Sequence, residues 1–387
     1  MIRSLTLTFI FIVYSQALLL GASQHATQYV PLKDLYADKF LVGNILAGGL
    51  DGDSLFRQDQ EELALLIGEF NCLTAENCMK MQYVQPEEGV FNFKPSDALV
   101  HIANKAEMEV VGHALVWHHQ VPHWIFKDKQ GNTVSREVLI QRMKDHIYKV
   151  VTRYKGQIKY WDVVNEAVDL KYEDGKQVAF LRESPWYKII GEDYIELAYR
   201  FAHEADPDAL LLYNDYSMTD LVKTQFVADM VKDLKDKGIP IHGVGMQGHW
   251  HLEWPTRSDL RKALDILSEV GVKVSVSELD VRVLPHPKDT EMGADIRLNV
   301  QRLKELDPYT DGIPDKILKK QAKKYASLFK VFLEYSDLIE RVSFWGVVDH
   351  HSWLRDWPVK GRTVYPALFD RDYSPKPAYF AIRKLVD

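Results

Sequence analysis

Short runs of β-branched and aromatic residues alternate along the chain with longer stretches in which apolar residues recur every three or four positions. The first pattern predicts buried strands and the second amphipathic helices. Strands are expected at 40–45, 70–75, 110–115, 160–165, 210–214, 242–247, 273–278 and 342–345. Helices are expected over 58–69, 135–154, 193–204, 220–237, 259–270 and 315–335. Asp220 can cap a helix that stops at Lys237-Gly238, and Ser258 or Asp259 can cap one that stops before Gly271. Strand–helix alternation repeated about eight times predicts an α/β fold: a parallel sheet closed into a single (β/α)8 TIM barrel. An open doubly wound sheet is the structural alternative, but no Gly-rich phosphate turn follows the first strand. Such barrels accommodate 387 residues as one domain, and no internal repeat, low-complexity tract or linker divides this chain.

In this architecture the functional loops follow the C-terminal ends of the strands. Those ends are polar here: Asn44, Glu76, Asn77, His113, Asn165, Glu166, Asn214, Gln247, His249, Glu278 and Trp345. Two β-branched strands, Tyr160-Trp161-Asp162-Val163-Val164 and Lys273-Val274-Ser275-Val276-Ser277, each run into a glutamate. A carboxylate at the end of a buried strand is costly unless it is paired or used in chemistry. Two of them at one end of a barrel are what a two-carboxylate hydrolase requires.

Composition narrows the partners. The net charge is −7 and no basic run or stripe occurs, which argues against nucleic acid. Nine tryptophans suit an uncharged ligand that stacks on rings. Residues 1–23 have the pattern of a signal peptide: Arg3, an apolar run from Leu5 to Leu20 broken by Ser15 and Gln16, then small residues at Gly21-Ala22-Ser23. The run falls short of the ~20 apolar residues of a membrane span. Export, to the extracellular space or a periplasm, is therefore expected, with 24–387 as the mature catalytic barrel and no membrane attachment after cleavage. The two cysteines, Cys72 and Cys78, are expected to be buried free thiols rather than a bridge or a zinc site.

The motifs and their order resemble glycoside hydrolase family 10, the (β/α)8 endo-β-1,4-xylanases. The resemblance runs from about Phe40 to Leu385. It is carried by Thr74-Ala75-Glu76-Asn77-Cys78-Met79-Lys80, Gly112-His113-Ala114-Leu115-Val116-Trp117-His118 and Trp161-Asp162-Val163-Val164-Asn165-Glu166. Further along it rests on Tyr213-Asn214-Asp215-Tyr216, Gly245-Met246-Gln247-Gly248-His249, Ser277-Glu278-Leu279-Asp280, and Phe344-Trp345-Gly346 leading to Ser352-Trp353. It implies Glu166 as acid/base and Glu278 as nucleophile. It implies Glu76, Asn77, Lys80, His113, Trp117, Gln120, Asn165, Tyr216, Gln247, His249, Trp345 and Trp353 as substrate-binding residues. The implied ligands are xylan and xylo-oligosaccharides, with no metal or other cofactor, acted on by a monomer. Met81 and Trp250 depart from the family's usual Trp and aliphatic residue, which bears on subsite shape.

The chemistry asks for these residue types. Glycosidic cleavage passes through an oxocarbenium-like state, in which one carboxylic acid protonates the leaving oxygen while a carboxylate stabilises or attacks C1. Glu278 must stay ionised, which a hydrogen bond from His249 favours; Asp280, two residues on, either orients that imidazole or merely caps a loop. Bulky walls at Trp345 and Trp353 are expected to exclude glucans, whose hydroxymethyl groups xylose lacks. Trp161 and Trp186 are assigned to the core. The rival readings are a related retaining β-glucanase, a non-catalytic xylan-binding protein, and a metal-dependent barrel hydrolase suggested by the histidines near 118, 249 and 350.

Overall fold

β-Branched segments that are apolar on both faces need cover on both faces, and here they obtain it by closing on themselves. The computed structural model describes residues 29–47, 59–286 and 304–386; the expected signal segment and Gln58, the first residue of an expected helix, lie outside them. The strands are β1 (Leu41–Leu46), β2 (Cys72–Ala75), β3 (Glu109–Val116), β4 (Tyr160–Asn165), β5 (Val168–Glu173), β6 (Lys176–Leu181), β7 (Leu210–Asp215), β8 (Gly243–His251), β9 (Lys273–Arg282) and β10 (Ile339–Phe344). Eight of these form a closed barrel in the order β1-β10-β9-β8-β7-β4-β3-β2, parallel at every pairing. The expected (β/α)8 barrel is therefore present.

Helices including Arg136–Arg153, Tyr194–Ala205, Leu221–Asp236, Arg257–Ser268 and Asp315–Glu334 lay their apolar stripes on the barrel's outer face. Trp161 and Trp186 are buried in that layer as expected. Trp250 joins them, its ring 6.3 Å from Phe332, so this departure from the family pattern faces the helices and leaves the cleft unaltered. Asp220 caps its helix by accepting from Val222 and Lys223. The next helix is capped by Thr256, not by Ser258 or Asp259. Thr256 accepts from the Asp259 backbone and Asp259 bonds back to Thr256, a reciprocal capping box that starts the helix earlier than its apolar periodicity indicates.

β5 and β6 form an antiparallel hairpin that the sequence reading does not contain. Its turn is Asp174-Gly175, both with positive φ (48° and 75°), the backbone that two-residue hairpins favour.

The barrel interior is graded. Cys72, Val111, Tyr160 and Leu212 form an apolar plug at the end where the strands begin. Farther along the strands lie Arg341 and Asp162, 3.9 Å apart, and then His113, which donates to Asp162. Strict alternation would point only every second residue inward, but the mouth needs more polar side chains than that. Register shifts in β4 between Asp162 and Val164 and in β8 between Gln247 and His249 re-aim the residues that follow. In β9 a left-handed Glu278 (φ 54°) lets adjacent Ser277 and Glu278 both reach Asn214.

Candidate active site

Glu166, one residue past β4, and Glu278, inside β9, meet through amides. Asn214, fully buried at the end of β7, donates from Nδ2 to Glu278 Oε1 at 2.8 Å and to Asn165 Oδ1 at 2.9 Å. Its Oδ1 accepts from Ser277 at 2.6 Å. Asn165 in turn donates to Glu166 Oε1 at 3.2 Å. Two side-chain amides therefore join the carboxylates in one network.

Glu278 is almost completely buried, which by itself favours its neutral form. Burial is outweighed by the His249 hydrogen bond, the charges of His113 and His249, and the Asn214 amide, which together hold it down at about 2. His249 contacts Glu278 Oε2 through Nε2 at 3.1 Å and Asp280 Oδ2 through Nδ1 at 2.8 Å. Its burial disfavours charge, yet the Asp280 carboxylate and then Glu278 push it up to about 10, so both ring nitrogens carry protons to donate. Asp280 also accepts from Trp353 Nε1 at 2.9 Å. Asp280 thus bonds both the His249 imidazole and the Trp353 indole.

Glu166 is half-buried, with φ 57°. Its side chain accepts from Trp117 Nε1 at 2.9 Å on one oxygen and from Gln247 Nε2 at 3.1 Å, with Asn165, on the other. Its backbone N–H donates to the Asn214 carbonyl at 2.8 Å. The next two N–H groups donate to the Tyr213 hydroxyl at 3.0 and 3.1 Å. Tyr213 donates to Asp215, which is paired with the fully buried Lys223 at 2.7 Å. Burial, partly countered by Lys223, raises Asp215 to about 6.

The remaining candidates line the same mouth on adjoining loops. Lys80 is buried, 4.9 Å from the Trp117 ring centroid, and bonds Asn77 Oδ1 at 3.3 Å; a surface salt bridge is not its role. Burial lowers its pKa against the pull of Glu278, Glu76 and Glu166, three carboxylates that it senses together. Gln120 donates to Asn77 at 3.1 Å. Trp345 lies edge-on between His113 (5.6 Å) and His249 (6.4 Å), and Trp353 tilts against His249 at 4.7 Å. Tyr216, just past β7, accepts from Arg182 at 2.6 Å through its hydroxyl. Asn44 holds the loop after β10 by accepting from Gly346 N at 3.1 Å. Met81 is buried at the start of the helix Met81–Val84.

Ser277, Tyr213 and Arg182 join the site with no role expected from the sequence, and Asn214, expected only as a polar strand end, bridges Asn165 and Glu278. The polar end of β7 signalled Asn214; the others follow from cross-strand register and from the hairpin. Cys72 and Cys78 are free and buried, as expected. Among the described residues no three His, Cys, Asp or Glu side chains gather as a metal site. The histidines that suggested one are spread out: His351 bonds Glu62, and His251 stacks on Trp254.

Comparison with known proteins places this arrangement among related ones. Residues 31–385 match the profile of Glycosyl hydrolase family 10. The chain is 44% identical over 370 residues to an endo-1,4-β-xylanase A of Xylanibacter ruminicola, covering 96% of this chain and 97% of that protein. It is 41% identical over 356 residues to an endo-1,4-β-xylanase of Geobacillus stearothermophilus, covering 91% and 97%. Among solved structures, a GH10 endoxylanase from a sugarcane soil metagenome superposes with a TM-score of 0.83 at 42% identity, covering 93% of this chain and all of that one. A xylanase of Paenibacillus barcinonensis, complexed with a conduramine derivative, gives 0.82 at 37%, covering 92% and 98%.

Proposed function

The chain belongs to glycosyl hydrolase family 10, and from that premise we propose that it cleaves β-1,4 bonds within xylan chains, with retention at C1. Glu278 is the nucleophile and Glu166 the acid, then the base. In the first step a Glu278 oxygen bonds to C1 as the glycosidic bond breaks, and the leaving oxygen takes the Glu166 proton. In the second, water attacks C1, gives its proton to the Glu166 carboxylate, and releases the Glu278 carboxylate. Retaining enzymes hold the two carboxyl groups ~5–5.5 Å apart, close enough for direct attack.

The observation that supports this division of labour is the asymmetry of two linked carboxylates. Glu278 is buried yet kept ionised by His249 and Asn214. Glu166 is half-open to the cleft, with Trp117, Asn165 and Gln247 aimed at it. Those three donors fit the carboxylate of the second step. The residue that gave its proton to the leaving oxygen can then take one from the attacking water, so one residue serves both steps. Asn165, beside Glu166, is the donor and acceptor suited to the 2-hydroxyl, a contact that strengthens at the transition state. Glu76, Asn77, Lys80, His113, Gln120 and Gln247 provide polar contacts for sugar hydroxyls, Trp117 offers an aromatic face, and Tyr216 and His249 complete the substrate-binding set. Trp345 and Trp353 form the apolar wall that favours xylan over glucan; equal turnover of cello- and xylo-oligosaccharides would remove that last assignment.

Export, cleavage near Ser23 and action as a monomer are part of the same proposal, checked by N-terminal sequencing and light scattering of the secreted protein. The mechanistic test is proton NMR of xylohexaose hydrolysis at early times. Retention yields the β-anomer first, with the α-anomer appearing at the rate of mutarotation; an α-first product contradicts the proposal.

A further inference from the structure

We infer that Arg182 is a positioning residue for the proton transfers of Glu166, acting through the backbone of that residue rather than on its carboxyl group. The inference rests on Glu166 being the acid/base. A left-handed non-glycine residue persists only where its surroundings over-determine it. Glu166 is such a residue (φ 57°), and its N–H is held by the Asn214 carbonyl. Its carbonyl is held by Arg182, whose Nε donates to it at 3.1 Å.

The arginine is itself fixed at every arm of its fork. One terminal nitrogen donates to the Tyr216 hydroxyl at 2.6 Å, and the other lies 2.9 Å from Asp169 Oδ2. The Arg182 backbone N–H donates to the Ala167 carbonyl at 2.7 Å. The Tyr216 ring is in turn seated against a second cation, with Lys223 Nζ 3.8 Å from its centroid. One planar guanidinium thus ties the end of β4, the first strand of the hairpin and the loop after β7 together, a task that lysine's single point charge cannot reproduce.

This arrangement also gives the hairpin a purpose. Arg182 follows Glu166 by 16 residues, and nearly all of the chain between them is β5, the turn and β6. The excursion returns the chain so that its exit lies beside the residue it left. The Glu166 oxygens have their own partners in Trp117, Asn165 and Gln247, so losing Arg182 leaves the carboxyl group's bonds in place. What changes is the direction from which they are approached. A proton donor misplaced by ~1 Å can lose on the order of 10²-fold in rate.

The test separates this role from a purely structural one through the leaving group. Arg182→Ala, Arg182→Gln and Arg182→Lys are compared with Glu166→Ala on xylohexaose, whose leaving oxygen needs a proton, and on a dinitrophenyl β-xylobioside, whose leaving group does not. Reading kcat/KM isolates glycosylation. Arg182→Ala and Arg182→Gln should lose ~10–100-fold on xylohexaose and less than about threefold on the aryl glycoside, with Arg182→Lys in between. Equal losses on both substrates, or a change confined to KM, overturn the inference. If Arg182→Ala does not fold, the Gln and Lys variants decide by the same ratio. Glu166→Ala keeps the two claims apart. If it is leaving-group selective while the Arg182 variants are not, only the positioning role falls. If Glu166→Ala is itself unselective, the acid/base assignment falls and this inference with it.

Discussion

Glu278, inside β9, and Glu166, one residue past β4, follow similar β-branched runs, but their neighbours make them unlike. Burial would keep Glu278 protonated, but His249 and Asn214 donate to it, so its pKa sits at about 2 instead of near 4.5. Removing His249 leaves burial unopposed by that donor and its charge, and the Glu278 pKa rises. The acidic limb of kcat/KM against pH should therefore move to higher pH in His249→Asn, and by a smaller step in Asp280→Asn; an unmoved limb refutes this account of the nucleophile. The same shifts have a stability signature. The depressed Glu278 contributes stability that is fully present above about 4.5 and is lost as pH falls toward 2. The raised His249 contributes stability that is fully present below about 6.5 and is lost as pH rises toward 10. Denaturant titrations of wild type and His249→Asn should converge as pH rises through that upper window; parallel curves contradict the linkage. Glu166→Ala should nearly abolish xylan cleavage yet spare the kcat/KM of substrates with good aryl leaving groups, whereas Glu278→Ala should silence both. The glutamates were legible because a carboxylate closing an apolar strand is conspicuous. Asn214 as a bridge, and Arg182 and Tyr213 as clamps, were not, since each depends on which strand lies next to which.

The strands owe their legibility to β-branched runs, and their misjudged ends to broken alternation. β8 and β9 continue to His251 and Arg282, well past Gln247 and Glu278, where the apolar pattern stops. Register shifts and the left-handed Glu278 let polar residues turn inward without ending the strand. The hairpin has a turn signal in Asp174-Gly175, but its strands are half-exposed and only weakly apolar, so their pattern is faint. Packing between β7 and β8 is also functional. A Cβ at Gly245 would lie 2.2 Å from Asn214 Oδ1, and Asn214 cannot yield without releasing Ser277, Asn165 or Glu278. Gly245→Ala should therefore lower kcat on xylan and on activated glycosides alike, because it disturbs the support of Glu278; wild-type kinetics would show that Asn214 relaxes freely. By contrast, Thr256→Ala should cost ~1 kcal/mol in chemical denaturation while leaving kcat unchanged, since its capping box lies on the barrel's exterior helix.

Across the whole molecule, the interior runs from an apolar plug to a charged mouth, which concentrates chemistry at one end of a rigid barrel. The family resemblance and the architecture were both readable from the order of the motifs, because each motif closes a different strand. Burial raises the thiols of Cys72 and Cys78 to about 11 and about 12. Neither should react with an aqueous thiol reagent in the native protein at neutral pH, and both should react once it is unfolded; native labelling contradicts the packing. The central claim is that Glu278 bonds to the sugar while Glu166 moves the proton. Its most direct test is to trap the intermediate with a dinitrophenyl 2-deoxy-2-fluoro-β-xylobioside and map the adduct by peptide mass spectrometry. One fluoroxylobiosyl group on Glu278 is the expected result, and a label on Glu166 or on any other side chain contradicts the account.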